Sequence, residues 1–208
     1  VAFEIYDLIL IISSYSLPLA LSKMISARQA NREHKNTGRI LKVALRFAII
    51  SGGAFALILF FGAGVIEHTI YPEYSGVQIP LRVLAPTIFI VALLGVFRGF
   101  FQGLQNTLPT AVSQIVEGLI NAIMSVVFAY FLFDFGHGMD AAGGTTDLGY
   151  AWGAAGGAIG TGAGALAGLI FCFILFVAYR KILAVNISRD KTGTQQEYGD
   201  IFRLMLSI

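Results

Sequence analysis

Charge is scarce in this chain. Only 12% of its 208 residues are Asp, Glu, Lys or Arg, whereas a soluble domain carries roughly 25%. Hydrophobic residues make up 56% of the chain, and the mean hydropathy is +0.76. A chain of this composition has too little polar surface to cover itself in water. The composition therefore excludes an ordinary soluble domain and predicts an integral membrane protein.

Cysteine and catalytic signatures are scarce as well. Cys172 is the single cysteine, so an internal disulfide is excluded, and we expect it to be a small core side chain. The sequence has no His-Glu-x-x-His pair, no phosphate-binding glycine loop with a lysine and no nucleophile elbow. The three histidines fall in different predicted loops, so no shared metal site is expected. We therefore predict a non-enzyme with no cofactor and no nucleic-acid partner.

Long apolar runs occupy most of the chain. A helix needs about 20 apolar residues to cross a bilayer, and we predict about five such spans. Their approximate bounds are 5–24, 43–66, 80–104, 109–133 and 150–179, and a further helix begins at about 201–208. Pro18 predicts a kink or partial break in the first span. The predicted fold class is an all-α polytopic helix bundle.

Because the chain opens without methionine and ends in an apolar segment, we expect a fragment of a longer transporter.

The loop charges predict an orientation. Basic residues follow the first span and the fifth span, whereas the loops after the second and fourth spans are acidic. Basic loops lie on the cytoplasmic side. We therefore expect 25–46 and 180–200 to be cytoplasmic, and 67–79 and 134–149 to be external, with 135–149 forming a flexible loop.

Two further segments have a distinct pattern. The basic stretch from Arg28 to Arg46 predicts either a cytoplasmic amphipathic helix, with Ile40, Leu41, Ala44 and Leu45 resting on lipid, or a solvated linker. In the fifth span, one glycine row lines a single helix face, and a second row lies beside it. The first row is Gly156, Gly160, Gly164 and Gly168, and the second is Gly149, Gly153 and Gly157. Such rows allow close helix packing, and a sliding surface is the functional alternative.

Polar residues concentrate around the stretch from Gly95 to Glu117, GVFRGFFQGLQNTLPTAVSQIVE. Arg98, Gln102 and Gln105 follow at i, i+4 and i+7, which predicts one helix face. The next span carries a polar stripe of Gln114, Glu117, Asn121 and Ser125. Ionisable groups within apolar helices suggest a functional site. Helix packing for the stripe and anchoring at the interface for Arg98 are the alternatives.

Two charges at the ends of the first span complete the candidate set. Asp7 lies about one turn inside the outer end, and Lys23 lies near the inner end, beyond Pro18. If both face inward, they add charge to the same cavity.

These motifs resemble a known family. The pattern GxxRGxxQGxxNxxPTAxSQxxE, from Gly95 to Glu117, and SLPLALSKMIS, from Ser16 to Ser26, are similar to a branch of the multidrug/oligosaccharidyl-lipid/polysaccharide (MOP) exporter superfamily. This branch contains MurJ-type lipid II flippases and polysaccharide-biosynthesis proteins like stage V sporulation protein B. The resemblance covers essentially the whole chain.

The resemblance implies a two-lobed fold with six helices in each lobe, of which this chain is most of the first lobe. Helix one and the second lobe are then partners from the remainder of its own chain. Members of the family move a lipid-linked sugar pyrophosphate across the bacterial cytoplasmic membrane by alternating access. Lys23 and Arg98 are then candidates for binding the pyrophosphate, and Gln102, Gln114 and Asn121 for binding sugar.

The resemblance leaves several points open. Glu117 is a candidate for balancing charge or for coupling to an ion, H+ or Na+. A drug/cation antiporter of the same superfamily and a non-transporting membrane scaffold are the alternative functions.

Overall fold

Helices account for every regular element in the part of the chain that the structure describes. The computed structural model describes residues 2–11, 16–72, 76–143, 148–190, 192 and 196–206. The helices are α1 (Ala2–Leu10), α2 (Ser16–Ala30), α3 (His34–Ile70), α4 (Gln78–Gly103), α5 (Leu108–Gly143), α6 (Leu148–Arg189) and α7 (Tyr198–Leu206).

Four of these helices are long and apolar enough to cross a membrane. They are α3 with 37 residues, α4 with 26, α5 with 36 and α6 with 42. Each covers one of the predicted spans, although α4 ends one residue before the predicted bound at 104. The prediction of an all-α, polytopic membrane protein is therefore confirmed.

The predicted first span has a different form. It corresponds to α1, with 9 residues, and α2, with 15, and residues 12–15 between them lie outside the described part. Neither helix alone has the length of a span, so the count of five is approximate. Pro18 lies in the first turn of α2. A proline is tolerated there because its missing N–H would have no partner within the helix.

The basic stretch from Arg28 to Arg46 is not a separate helix. After α2, Arg32 adopts a left-handed φ of 59°, the Glu33 N–H bonds to the Arg28 carbonyl, and α3 then runs without interruption from His34. Ile40 and Ala44 are fully buried, in a core cluster built from α2, α3, α4, α6 and α7. The prediction that they rest on lipid is wrong, because neighbouring helices cover that face of α3.

The predicted external loop 134–149 is also largely helical. Helix α5 continues to Gly143 and α6 begins at Leu148, while residues 144–147 lie outside the described part. At about 1.5 Å per residue, α5 is roughly 54 Å long, so it extends past a hydrocarbon core of about 30 Å. The Phe135 and Trp152 rings pack edge to face, with centroids 5.5 Å apart, and they hold the two helices together here.

Helix α4 lies at the centre of the bundle, where it packs against α1, α2, α3 and α6. Glycines bring it close to α2. A Cβ on Gly99 would lie 2.7 Å from the Pro18 carbonyl oxygen, and a Cβ on Gly103 would lie 2.6 Å from the Ile25 Cβ. Only glycine leaves room for backbones this close.

Helix α5 packs mainly on α6 and touches α4 little. The predicted glycine row of α6 lies at this interface. Gly156 meets the backbone at Phe128, Gly160 meets Ser125, and a Cβ on Gly164 would lie 2.6 Å from the Glu117 carbonyl oxygen. The row is therefore a surface of close packing. The second predicted row is not continuous, because a Cβ on Gly157 would meet open space.

Two carboxylates cap helices from the end of another helix. Glu67, at the end of α3, accepts the Gln78 N–H at 2.6 Å and so caps α4. Asp190, just after α6, accepts the Lys35 N–H at 2.8 Å and so caps α3. Asp190 also accepts bonds from the Thr192 hydroxyl at 2.6 Å and backbone N–H at 2.9 Å. These bonds, the one from Lys35 above all, lower the pKa of Asp190 to about 2.

Replacing Gly160 with alanine is predicted to destabilise the protein by about 1–3 kcal/mol, because the new methyl group would overlap Ser125. The matched control is Gly157→Ala, one turn away on the same helix, where alanine should be neutral or stabilising. Thermal unfolding of the purified full-length protein in detergent measures both. Equal melting temperatures for the two variants would contradict the close packing.

Replacing Asp190 with asparagine is predicted to lower the melting temperature at pH 7, because the neutral amide is a weaker cap. The pKa of Asp190 is depressed from 3.8 to about 2, so its contribution is present above pH 3.8 and is lost as the pH falls towards 2. The difference in melting temperature between the wild type and Asp190→Asn should therefore shrink as the pH falls from 3.8 towards 2. Asp134→Asn, at an exposed site on α5, is the control. If the difference in melting temperature does not change with pH, the ionised carboxylate of Asp190 does not stabilise the start of α3.

Candidate functional site

The turn between α4 and α5 sets the geometry of the candidate site. Helix α4 ends at Gly103, and Gln105 has a left-handed φ of 60°. The Asn106 N–H bonds to the Phe101 carbonyl at 3.1 Å, and the Gln105 N–H bonds to the Gln102 carbonyl at 2.9 Å. This pair of bonds is the Schellman pattern that closes a helix C-terminus. The Asn106 side chain then accepts the Leu108 N–H, at 3.2 Å, at the start of α5.

Arg98 points from α4 to α5. Its Nη2 lies 2.6 Å from Glu117 Oε2, and its Nε donates to Ser113 Oγ at 2.9 Å. Ser113 donates in turn to the Thr110 carbonyl at 2.8 Å. The side chains of Arg98 and Glu117 are 16% and 28% exposed, so the pair is partly shielded. We call Arg98, Ser113 and Glu117 the arginine cluster.

Helix α6 forms the floor beneath this cluster. A Cβ on Gly168 would lie 3.6 Å from the Arg98 guanidinium and 3.4 Å from the Ser113 carbonyl. Cys172, one turn further along, is fully buried and packs with Leu94 and Phe97. Its expected role as a core side chain is consistent with this burial. The guanidinium therefore lies over a glycine and beside an apolar wall, where its charge is screened less than in water.

The far end of the polar stripe on α5 has a different environment. Ser125 Oγ lies 2.8 Å from Asn121 Oδ1 and 3.1 Å from the Gly157 carbonyl of α6. These contacts fit the packing interpretation for Asn121 and Ser125. Gln114, by contrast, is exposed, although it belongs to the same predicted stripe.

Among the described residues, the other predicted site residues form no hydrogen bond or ion pair with the arginine cluster. Gln102 is half-buried on α4, one turn beyond Arg98. Gln105 is exposed in the turn, so the prediction that it shares a helix face with Arg98 is wrong: the helix ends before it. Lys23 on α2 and Asp7 on α1 are both exposed.

Ser113 was not among the predicted residues. It lies four positions before Glu117, hence on the same face of α5, and this spacing is the signal that points to it.

No group of three His, Cys, Asp or Glu side chains suited to a metal ion occurs among the residues that the structure describes. The site is thus an ion pair with hydrogen-bond donors, without a metal-binding set.

The arginine cluster lies within the region shared with known proteins. A family described as "Polysaccharide biosynthesis protein" matches residues 1–194. The chain belongs to this family. The suspected relationship to exporters of the MOP superfamily is therefore confirmed.

Curated relatives come from Bacillus subtilis (strain 168). Stage V sporulation protein B is 28% identical over 188 residues, which are 88% of this chain and 33% of that protein. Lipid II flippase MurJ is 27% identical over 133 residues, 57% of this chain and 23% of that protein. The chain thus spans a third or less of the length of these relatives. No solved structure matches it.

Proposed function

We propose that this chain is part of a flippase that moves a lipid-linked sugar pyrophosphate across the bacterial cytoplasmic membrane by alternating access. The support is membership of the polysaccharide-biosynthesis family, together with the similarity to a lipid II flippase. The substrate would resemble lipid II, and the product would serve cell-wall or polysaccharide synthesis.

The observation that carries this proposal is the ion pair between Arg98 and Glu117, at 2.6 Å. Glycines already supply the close contact of α5 with α6 and of α4 with α2, so those interfaces do not depend on the charge pair. Ionisable groups at membrane depth are costly and are usually functional. An arginine that bridges two helices at the end of an apolar bundle is suited to bind an anion that reaches it.

Pyrophosphate is the anion that the proposed substrate would bring to Arg98. A guanidinium binds phosphate through two parallel hydrogen bonds, as it binds a carboxylate. The substrate pyrophosphate and Glu117 would therefore compete for Arg98. Loading substrate would free Glu117 from the pair, and Glu117 would then be available to take up H+ or Na+. The ion pair thus gives a route by which substrate loading and a coupling ion act on the same contact between α4 and α5.

The remaining predicted site residues have secondary roles in this proposal. Lys23 would add a second cation for the pyrophosphate, and Gln102 and Gln114 would offer amides to the sugar. Asp7, Asn121 and Gln105 were also predicted as cavity residues. Of these, Asn121 already bonds Ser125, and Gln105 lies in the turn, so we assign the main role to the arginine cluster.

The proposed orientation follows from the loop charges. Basic residues lie at the start of α3 and the end of α6, and basic segments stay in the cytoplasm. The turn between α4 and α5 lies at the same end of the bundle, since α3 and α4 run in opposite directions. The arginine cluster would therefore meet a precursor made inside the cell. Because the chain spans a third or less of its relatives, transport would also require the remainder of the full-length protein.

Replacing Arg98 with alanine is predicted to reduce delivery of lipid-linked precursor to the outer membrane face by at least about tenfold, since a lost charge-assisted bond costs about 1.5–3 kcal/mol. Glu117→Gln is expected to reduce delivery as well, because the ion-coupling carboxylate is lost, although precursor binding should not weaken once the group that competes for Arg98 is gone. Precursor exposed at the outer face of cells that depend on the full-length variant is the measurement.

The matched control is Arg82→Ala, an exposed arginine at the other end of α4. It should leave delivery unchanged. If Arg98→Ala and Glu117→Gln both transport as well as Arg82→Ala, the arginine cluster is a packing device. If the variants lose resistance to a cationic drug but still deliver precursor, the drug/cation antiporter is the better function.

A further inference from the structure

A second cationic site lies away from the arginine cluster, where α3 begins and α6 ends. A cavity of about 340 Å³ opens there, lined by Lys35, Gly38, Arg39, Lys42, Ile187 and Tyr198. We call it the basic pocket. We propose that the basic pocket binds the headgroup of an anionic phospholipid from the bilayer leaflet at that end of the bundle.

The charges of the basic pocket favour an anion. Among the described residues, neither Lys35 nor Lys42 forms an ion pair. Asp190 is a carboxylate beside the pocket. Its two oxygens accept bonds from N–H and O–H donors of Lys35 and Thr192, and it also attracts the Lys35 ammonium group. Neither ammonium group is held in an ion pair in the described part of the chain, so both are able to attract an anion.

Arg39 holds one wall in place rather than acting as a mobile charge. Its Nη1 donates to the Gln196 carbonyl at 2.7 Å, and its guanidinium lies 5.4 Å from the centre of the Tyr198 ring. Arg46 approaches the same ring at 5.8 Å. These contacts hold α7 against α3, so the Tyr198 ring forms a fixed wall of the pocket. A volume of 340 Å³ is at the lower end of small-molecule sites, enough for a phosphate with its glycerol.

The surface of α3 beyond the pocket distinguishes a lipid from a free phosphate. Lys35, Arg39, Lys42 and Arg46 follow at i, i+4, i+7 and i+11, on one helix face. The same face continues with exposed apolar side chains: Ile49, Ile50, Leu57 and Phe60. From position 49 to 60 it extends about 16 Å, which matches one leaflet of a hydrocarbon core of about 30 Å.

A cationic end followed by an apolar strip matches the two parts of a phospholipid. The phosphate would contact Lys35 and Lys42, and an acyl chain would lie along the strip. A soluble phosphate has no apolar part that could contact the strip. Basic pockets between helices on the cytoplasmic side bind anionic headgroups in this way. Assignment to the inner leaflet rests on the proposed orientation.

The test uses the purified full-length protein and native mass spectrometry in detergent. The probes are phosphatidylglycerol and, for comparison, phosphatidylcholine with the same acyl chains. The variant is Lys35→Gln with Lys42→Gln, which removes two charges and keeps a flexible polar side chain one atom shorter than lysine. The matched control is Arg180→Gln with Lys181→Gln, which removes two exposed charges from the same end of α6.

The wild type and the control are expected to retain phosphatidylglycerol in preference to phosphatidylcholine. The double lysine variant should retain roughly thirtyfold less, since each cation near anionic lipid contributes about fivefold in affinity. If both double variants retain phosphatidylglycerol equally, the proposal is overturned, because the lipid would then be attracted by the overall positive charge and not by the basic pocket. Displacement of the lipid by millimolar inorganic phosphate would also overturn it, in favour of a free-phosphate site. Precursor delivery is a separate measurement, so failure here leaves the flippase proposal standing.

Discussion

The contact between α5 and α6 is the constraint on which the candidate site depends. Helix α5 touches α4 little, so α6 decides where its polar residues lie. Glycines at four-residue spacing let the two backbones meet, at Ser125 and again beside Glu117. Without a hydrophobic driving force between helices in lipid, close van der Waals contact of this kind contributes to helix association, together with hydrogen bonds between helices. It fixes the register that brings Glu117 to Arg98.

The ion pair between Arg98 and Glu117 follows from that register. Two helices that are joined by a short turn diverge from it, and here a charge pair with Ser113 spans the gap, at 2.6 Å and 2.9 Å. A pair of this kind is stable as a unit but costly when one partner is removed. This asymmetry suits a site at which an incoming anion replaces the carboxylate. Glycines thus position the charges, and under the proposed function these charges form the contact that the substrate would exchange.

The helical segments and the family could be predicted from the sequence, because apolar length and the motif around Arg98 are local signals. The pairing of Arg98 with Glu117 could not, since spacing defines a face but not the neighbour it meets. Gln105 was misplaced because the i+7 rule assumes a continuing helix, and here a non-glycine residue takes the left-handed position that ends it. Ile40 and Ala44 were assigned to lipid because an apolar helix face has the same sequence pattern whether lipid or protein covers it.

A double-mutant cycle on Arg98 and Glu117 tests the central claim most directly. The free energy of unfolding of the full-length protein in detergent would be measured for Arg98→Gln, Glu117→Gln and the double variant. The two residues are in contact, so the account predicts a coupling energy of about 0.5–3 kcal/mol between them. Additive losses, with no coupling beyond the error of about 0.3 kcal/mol, would show that the two side chains do not interact and would contradict the account.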